Sequence, residues 1–179
     1  MPEDQDPRTY ADPVGEKATY AEYLSNYRMT LQLKCDGLTP EQLATRSVPP
    51  STMSLLGLVR HMASVEHTWF QRVAQATGED RLYRSEEDRD LDFNGAVGTQ
   101  ECVDDAFATL KREIGKAEEW LAAVPEDDLG RVLTFSRGPD ADTETVSVRD
   151  LLVHMIEEYA RHCGHADLLR ECVDGRTGQ

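Results

Sequence analysis

Long helical periodicity is the feature that most constrains how this chain folds. Apolar residues recur at intervals of three and four through four segments of roughly 20 to 25 residues each. This spacing predicts amphipathic helices, and the alternating runs of Val, Ile and Thr that favour strands are scarce. Helices of this kind bury their apolar faces against one another. The sequence therefore predicts an all-α fold, a four-helix bundle.

The predicted bundle has a long crossover between its second and third helices. The four helices are predicted at about residues 16–34, 51–78, 99–124 and 147–172. The acidic segment 79–98 is predicted to be an exposed loop, and loops this long are often functional covers. Residues 126–146 are irregular, with a short strand in VLTF and a turn in SRGPDAD. Residues 1–14 contain three prolines and are predicted to form a flexible leader, so one domain spans residues 15–179.

The charge of the chain argues against several classes of partner. The formal net charge is -15, and the arginines are scattered among carboxylates without a basic patch. Such a surface repels phosphate backbones and anionic lipids, so neither nucleic acid nor a membrane is an expected partner. No apolar run approaches the roughly 20 residues that span a bilayer, and the N-terminus lacks the features of a signal peptide. We expect a cytoplasmic protein with reduced cysteines.

The last predicted helix carries two polar residues where apolar ones are expected. At about 100° per residue, its core-facing stripe consists of Leu151, Met155, Ala166 and Leu169. Glu158 and His162 fall in the middle of that stripe, one turn apart. A carboxylate there loses its hydration, at a cost of several kcal/mol unless a cation compensates. The two residues are therefore either ligands of one metal ion or a buried, hydrogen-bonded pair.

The second predicted helix offers a third ligand. Its apolar stripe contains Leu55, Leu58, Met62, Val65, Trp69 and Val73. His61 lies at the margin of this stripe, where a histidine either packs against a neighbouring helix or binds metal, whereas His67 lies well off it and is predicted at the surface. With Glu158 and His162, His61 would leave positions open for water or substrate, as catalytic metal sites do. This ligand set suits Zn²⁺, and also Ni²⁺, Co²⁺, Mn²⁺ or Fe²⁺.

The second and last helices together resemble the DinB-like superfamily. The segments that carry the resemblance are SLLGLVRHMASVEHTWF and VRDLLVHMIEEYARHCGHADLLRECVDGRTG. They look most like the actinobacterial branch that contains mycothiol-dependent, maleylpyruvate isomerase-like enzymes. The resemblance implies a bundle with one metal ligand from the second helix and two from the last, and His61, Glu158 and His162 stand at those positions. His165 stands where many relatives have glutamine, and with His154 it is a candidate for contacting the ligands or the substrate.

The resemblance also implies a function. Similar enzymes use a divalent metal ion and a low-molecular-weight thiol in S-transfer or isomerisation of a small molecule. We therefore expect a metal-dependent, mycothiol-type thiol S-transferase or isomerase, with no catalytic side chain assigned. Two alternatives stay open: a hydrolase that uses metal-activated water, and a non-enzymatic metal- or ligand-binding stress-response protein. Relatives are often homodimers, and the aromatic-rich first helix favours a homodimer here as well.

Overall fold

Four long helices form the bundle in the computed structural model, which describes residues 8, 11–136 and 141–178. The helices are α1 Glu16–Cys35, α2 Pro40–Leu43, α3 Leu55–Glu66, α4 Leu91–Asn94, α5 Gln100–Ala123 and α6 Val148–Asp174. The first long helix, α1, packs against α6, and α3 packs against α5. The long connection between α3 and α5 contains the single turn of α4. The predicted all-α four-helix bundle is confirmed.

Side-chain caps fix the starts of the third and fourth long helices where the sequence predicts them. The Thr99 hydroxyl accepts a hydrogen bond from the backbone N–H of Cys102, and α5 begins one residue later. The Ser147 hydroxyl accepts from the N–H of Asp150 at the start of α6. At the other end of α6, Gly175 adopts a left-handed conformation with φ of 78°. These local signals are readable in sequence because the capping residue and its partner are three positions apart.

A two-stranded hairpin precedes α6. Strand β1, Val132–Ser136, pairs in antiparallel fashion with β2, Thr143–Ser147, so that Val132 faces Ser147. The predicted strand in VLTF is confirmed, whereas the sequence analysis did not predict β2. Residues 137–140 of the predicted turn lie outside the described residues, as does most of the predicted leader 1–14.

The second long helix differs from its prediction at both ends. It begins at Leu55 rather than at residue 51 or 52, because Ser54 is the residue whose side chain caps the first turn. After Glu66 it continues as a π-helical segment, His67–Val73, and it stops there rather than near Gly78. The wider π turn changes the angle between successive side chains, and such segments are frequent at functional sites.

The buried stripe of this helix is also rotated relative to the prediction. Glu66, His67 and Phe70 are buried, whereas Val65 and Trp69 are only half-buried. The predicted surface position of His67 is therefore wrong: only 2% of the residue is exposed. A stripe drawn from apolar residues alone cannot include buried charges, because their partners come from distant parts of the chain.

The crossover between α3 and α5 is packed onto the bundle at one point rather than being exposed throughout. The short helix α4 lies so close to α3 that a Cβ added to Gly57 would come within 2.8 Å of the Phe93 ring. The Arg60 side chain donates hydrogen bonds to the backbone carbonyls of Asp92, at 2.9 Å, and Leu91, at 3.0 Å. These contacts hold residue 92 against the middle of α3. None of the described helices is long and apolar enough to cross a membrane.

Candidate metal centre

The fold brings His61, Glu158 and His162 together between α3 and α6. Each offers one ligand atom, and these atoms all lie within 4.8 Å of one another. The Nε2 atom of His162 is 3.5 Å from Oε2 of Glu158, and the rings of His61 and His162 are 4.7 Å apart between centroids. Two ligands of one tetrahedral zinc ion lie roughly 3.4 Å apart. The three residues are therefore close enough to share one ion, and their role as ligands stays a prediction.

The cluster lies at the edge of the core rather than at its centre. His162 is 8% exposed, while the side chains of Glu158 and His61 are 20% and 25% exposed. At the centre of the stripe stands Tyr159, which is fully buried. The sequence analysis placed Glu158 in the middle of the stripe, and the helix rotation differs from that expectation. A position at the edge lets a small molecule reach the cluster from solvent.

Asp92 fixes the orientation of the His61 ring. Its Oδ2 atom lies 2.8 Å from Nδ1 of His61, and its Oδ1 accepts the backbone N–H of Phe93. A proton on Nδ1 that is donated to this carboxylate leaves Nε2 of His61 with its lone pair for a metal ion. Carboxylates that orient metal-binding histidines in this way are a regular part of metal sites. The hydrogen bonds from Arg60 to the backbone on either side of this carboxylate keep it in place.

The two flanking histidines contact the other two cluster residues. Nδ1 of His165 is 3.3 Å from Nδ1 of His162, which leaves Nε2 of His162 directed at Glu158. Nε2 of His154 is 3.4 Å from Oε1 of Glu158, and its ring packs against Trp69 at 4.4 Å between centroids. Burial and the neighbouring charges of His162 and Arg161 lower the pKa of His165. Both histidines therefore stand beside the cluster, as predicted, and whether they act in binding or chemistry stays a prediction.

The donor chemistry of the cluster fits a divalent metal ion. The hydrogen bond with His162 lowers the pKa of Glu158 against the opposing effect of burial, and the charges of the three nearby histidines lower it further. Among the residues that the structure describes, no arginine or lysine forms an ion pair with Glu158. The cluster thus combines an ionised carboxylate with two oriented imidazoles, and the described residues supply it with no arginine or lysine. This is the arrangement that an external cation completes.

The most important residue that the sequence analysis missed is Asp92. It is 31 positions from His61 and is one of seven carboxylates between residues 79 and 98, so no spacing rule singles it out. The available signal is that apolar Leu91 and Phe93 flank it inside an otherwise acidic segment. Apolar residues in such a loop indicate a point of packing, and here that point carries the carboxylate to His61.

A cavity of about 360 Å³ opens beside His61. Its wall includes Trp69 from the π-helical segment, Tyr83 and Phe93 from the crossover, and the side chain of Asp92. The phenol of Tyr83 donates a hydrogen bond to Asp105 of α5, and the Arg60 guanidinium lies 3.9 Å from the centre of its ring. The crossover therefore forms a wall of the space next to the candidate metal centre.

Comparison with known proteins places the chain in a family. The model of the mycothiol-S-transferase family matches residues 19–175, which include the whole candidate centre. Among solved structures, the crystal structure of a "conserved protein of locus" from Enterococcus faecalis superposes with a TM-score of 0.65 at 15% identity, covering 91% of this chain and 99% of that chain. At that identity the match shows the fold alone. No curated protein matches. The chain belongs to the mycothiol-S-transferase family of DinB-like proteins, as the motifs of its second and last long helices indicated.

Proposed function

We propose that this protein is a metal-dependent S-transferase that joins a mycothiol-type thiol to a small electrophile. The observation that carries the proposal is the cluster of His61, Glu158 and His162 beside a cavity, with no arginine or lysine of the described residues paired with its carboxylate. Membership of the mycothiol-S-transferase family supports the choice of thiol and reaction.

The proposed ligands are Nε2 of His61, one carboxylate oxygen of Glu158 and Nε2 of His162. We propose zinc as the ion, because it readily takes mixed nitrogen and oxygen ligands; nickel, cobalt, manganese and iron accept the same set. A divalent ion held here would lower the pKa of a thiol at an open coordination position. Asp92 and His165 would keep the two imidazoles turned toward the ion.

The proposed reaction is a nucleophilic substitution at carbon. The thiol gives its proton to solvent, the sulfur forms a bond to the electrophilic carbon, and the displaced group leaves with the electron pair of the bond that breaks. The chain's residues position the reactants: Trp69, Tyr83 and Phe93 form part of the cavity wall and would shield a bound substrate from water on that side. Exclusion of water protects the nucleophile and strengthens electrostatic interactions at the reacting centre.

An activity assay tests the reaction. Purified protein is incubated with mycothiol and monobromobimane, with and without a chelator, and then with metal restored. We expect adduct formation that requires both thiol and metal. Adduct formation that is unaffected by removal of metal would overturn the metal-dependent mechanism. Loss of metal-dependent turnover with every thiol and electrophile pair tested, in a protein that still binds metal, would support the non-enzymatic alternative instead.

Metal analysis of two variants tests the site. Glu158→Gln and His162→Ala should lose stoichiometric metal, whereas Glu157→Gln should retain it. Glu157 is a matched control because it is the adjacent glutamate of α6, and its carboxylate pairs with Arg161 at the surface. Retention of one metal ion per chain by both site variants contradicts the ligand assignment. The cytoplasmic location and the homodimer remain predictions from sequence.

A further inference from the structure

A second cavity adjoins the cavity beside His61. It measures about 330 Å³ and is bounded by the π-helical segment, the start of the crossover and strand β1. Thr68, Trp69 and Arg81 line this cavity and also the one beside His61, so the two spaces share a wall. A molecule in the second cavity is therefore next to the site where the proposed reaction takes place.

The guanidinium of Arg72 lines the second cavity. The Nε atom of Arg72 is buried, and within the described part of the chain it has no hydrogen-bond partner. No ion pair of Arg72 is found there either. A buried donor without an acceptor costs about 1 to 3 kcal/mol, more when it is charged, so native proteins rarely leave one without purpose. The rest of this half-buried guanidinium lines the cavity, where it can pair with an anionic oxygen.

The crossover contributes further arginines to the two cavities. Arg81 joins Arg72 in the lining of the second cavity, and Arg81, Arg84 and Arg89 all line the cavity beside His61. The sequence analysis found no basic patch, because these residues alternate with carboxylates along the chain. The fold gathers the four arginines around two adjoining cavities on a protein whose net charge is -15.

The remaining lining of the second cavity is apolar or uncharged. Trp69, Val73 and Phe135 supply apolar surface, with the rings of Trp69 and Phe135 edge to face at 5.7 Å. Thr68 and Thr134 add hydroxyl groups. The cavity therefore suits a ligand with a flat apolar body and one anionic end. The planar fork of an arginine matches a carboxylate, and the acidic net charge of -15 on the whole chain disfavours a doubly charged phosphate.

We propose that the cavity lined by Arg72 binds the carboxylate of the electrophilic substrate, so that the enzyme selects aromatic or other apolar carboxylic acids. This inference rests on the proposed function, because the ligand is a substrate only if the protein is a transferase. The binding of a carboxylate does not depend on that function, because it is argued from the Arg72 guanidinium, for which the described residues supply no partner, and from the residues that line the cavity. The shared wall at Trp69 makes this cavity a neighbour of the one beside His61.

A binding experiment tests the inference without relying on activity. Benzoate, benzamide and inorganic phosphate are titrated into the full chain as purified, and dissociation constants are measured by NMR for wild type, Arg72→Met and Arg131→Met. Benzoate and benzamide share a ring and differ in charge. Arg131 is the control because it lies just before β1, is exposed and pairs with Asp128. We expect wild type and Arg131→Met to prefer benzoate by about tenfold or more, and Arg72→Met to lose that preference.

The other outcomes each have a clear meaning. Equal affinity of wild type for benzoate and benzamide overturns the proposal, as does an unchanged preference in Arg72→Met. Tighter binding of phosphate than of benzoate overturns the choice of carboxylate. If thiol transfer is absent but the Arg72-dependent preference is present, the proposed function fails and the carboxylate site stands. If thiol transfer is present and the preference is absent, only this inference fails.

Discussion

Two glutamates between α3 and α6 have opposite surroundings. Glu66 is fully buried, and Arg28 of α1 binds both of its oxygens, at 2.8 and 2.9 Å. The phenol of Tyr159 donates a third hydrogen bond to it at 2.7 Å. Glu158, on the same helix as Tyr159, is partly exposed, and its ion-pair partners among the described residues are His154 and His162. Among those residues, Glu66 has an arginine as its partner and Glu158 has histidines.

The difference separates Glu66, whose charge stabilises the fold, from Glu158, whose charge is a candidate for binding a metal ion. A buried carboxylate requires a cation, and Arg28 meets that need at Glu66 with a bidentate pair. At Glu158 the neighbouring groups are imidazoles, which bind metal ions when they are neutral. Burial in the apolar core thus indicates that a carboxylate has a partner, and the identity of the neighbours indicates whether that partner is a residue or a ligand.

The largest expected effect comes from removing the cation at Glu66. Arg28→Met should lower the free energy of unfolding by about 3 to 5 kcal/mol, because it leaves a buried carboxylate unpaired. Urea denaturation measures the change. Arg161→Met, which breaks a surface pair with Glu157, should cost under about 1 kcal/mol. The double variant Arg28→Met with Glu66→Met should recover most of the loss; no recovery would mean that packing rather than charge dominates.

Another buried carboxylate, Glu113, extends the comparison to pH. Burial opposes its ionisation, but hydrogen bonds from His67 and Arg112 and the charges of Lys116 and His67 lower its pKa. A carboxylate with a lowered pKa stabilises the fold above its unfolded value of about 4.3, and that contribution is lost as pH falls through the folded value. We expect Glu113→Gln to cost about 1 to 3 kcal/mol at pH 7 in urea denaturation.

The pH dependence supplies the check on this assignment. The gap in stability between wild type and Glu113→Gln should shrink as the pH is lowered from 7 through 4 and below. A gap that stays constant over this range would mean that the variant acts through packing and not through the charge of Glu113. His67 is the partner to examine next, because its two ring nitrogens face Glu113 and the backbone carbonyl of Asp80.

Zinc binding by the cluster of His61, Glu158 and His162 should depend on Asp92, which orients the His61 ring. Asp92→Ala is expected to weaken zinc binding by roughly 10- to 100-fold, because the His61 ring loses the carboxylate that fixes its tautomer. Competition with a chromogenic chelator measures the affinity. Asp90→Ala is the matched control from the same turn, since its side chain makes no capping bond to α4. Equal affinities of the two variants would remove Asp92 from the site.

The smallest effect is expected at Glu158 itself in the absence of metal. Glu158→Gln should change the free energy of unfolding by under about 1 kcal/mol in the presence of a chelator, because the group is partly exposed and has no fixed cation. The same substitution should abolish the stabilisation that added zinc gives to wild type. A loss of several kcal/mol without metal would instead place Glu158 with Glu66 as a structural charge.

Local information in the sequence determined the helices, their caps and the two candidate metal ligands on α6. Thr99 and Ser147 are caps that act over three residues, and the spacing of Glu158 and His162 is one helical turn. These features depend on backbone geometry within a single element, which the sequence specifies directly. The family motifs added His61 to the set, and the match to residues 19–175 confirmed the family.

Only the tertiary structure decided which charged side chains have a partner elsewhere in the chain. Arg28 and Glu66 are 38 positions apart, His67 and Glu113 are 46 apart, and His61 and Asp92 are 31 apart. Packing of separate helices sets these pairings, so periodicity placed His67 at the surface and gave Asp92 no role. A sequence pattern shows that a charge lies on a buried face, but the Coulombic partner that makes burial possible lies on another element.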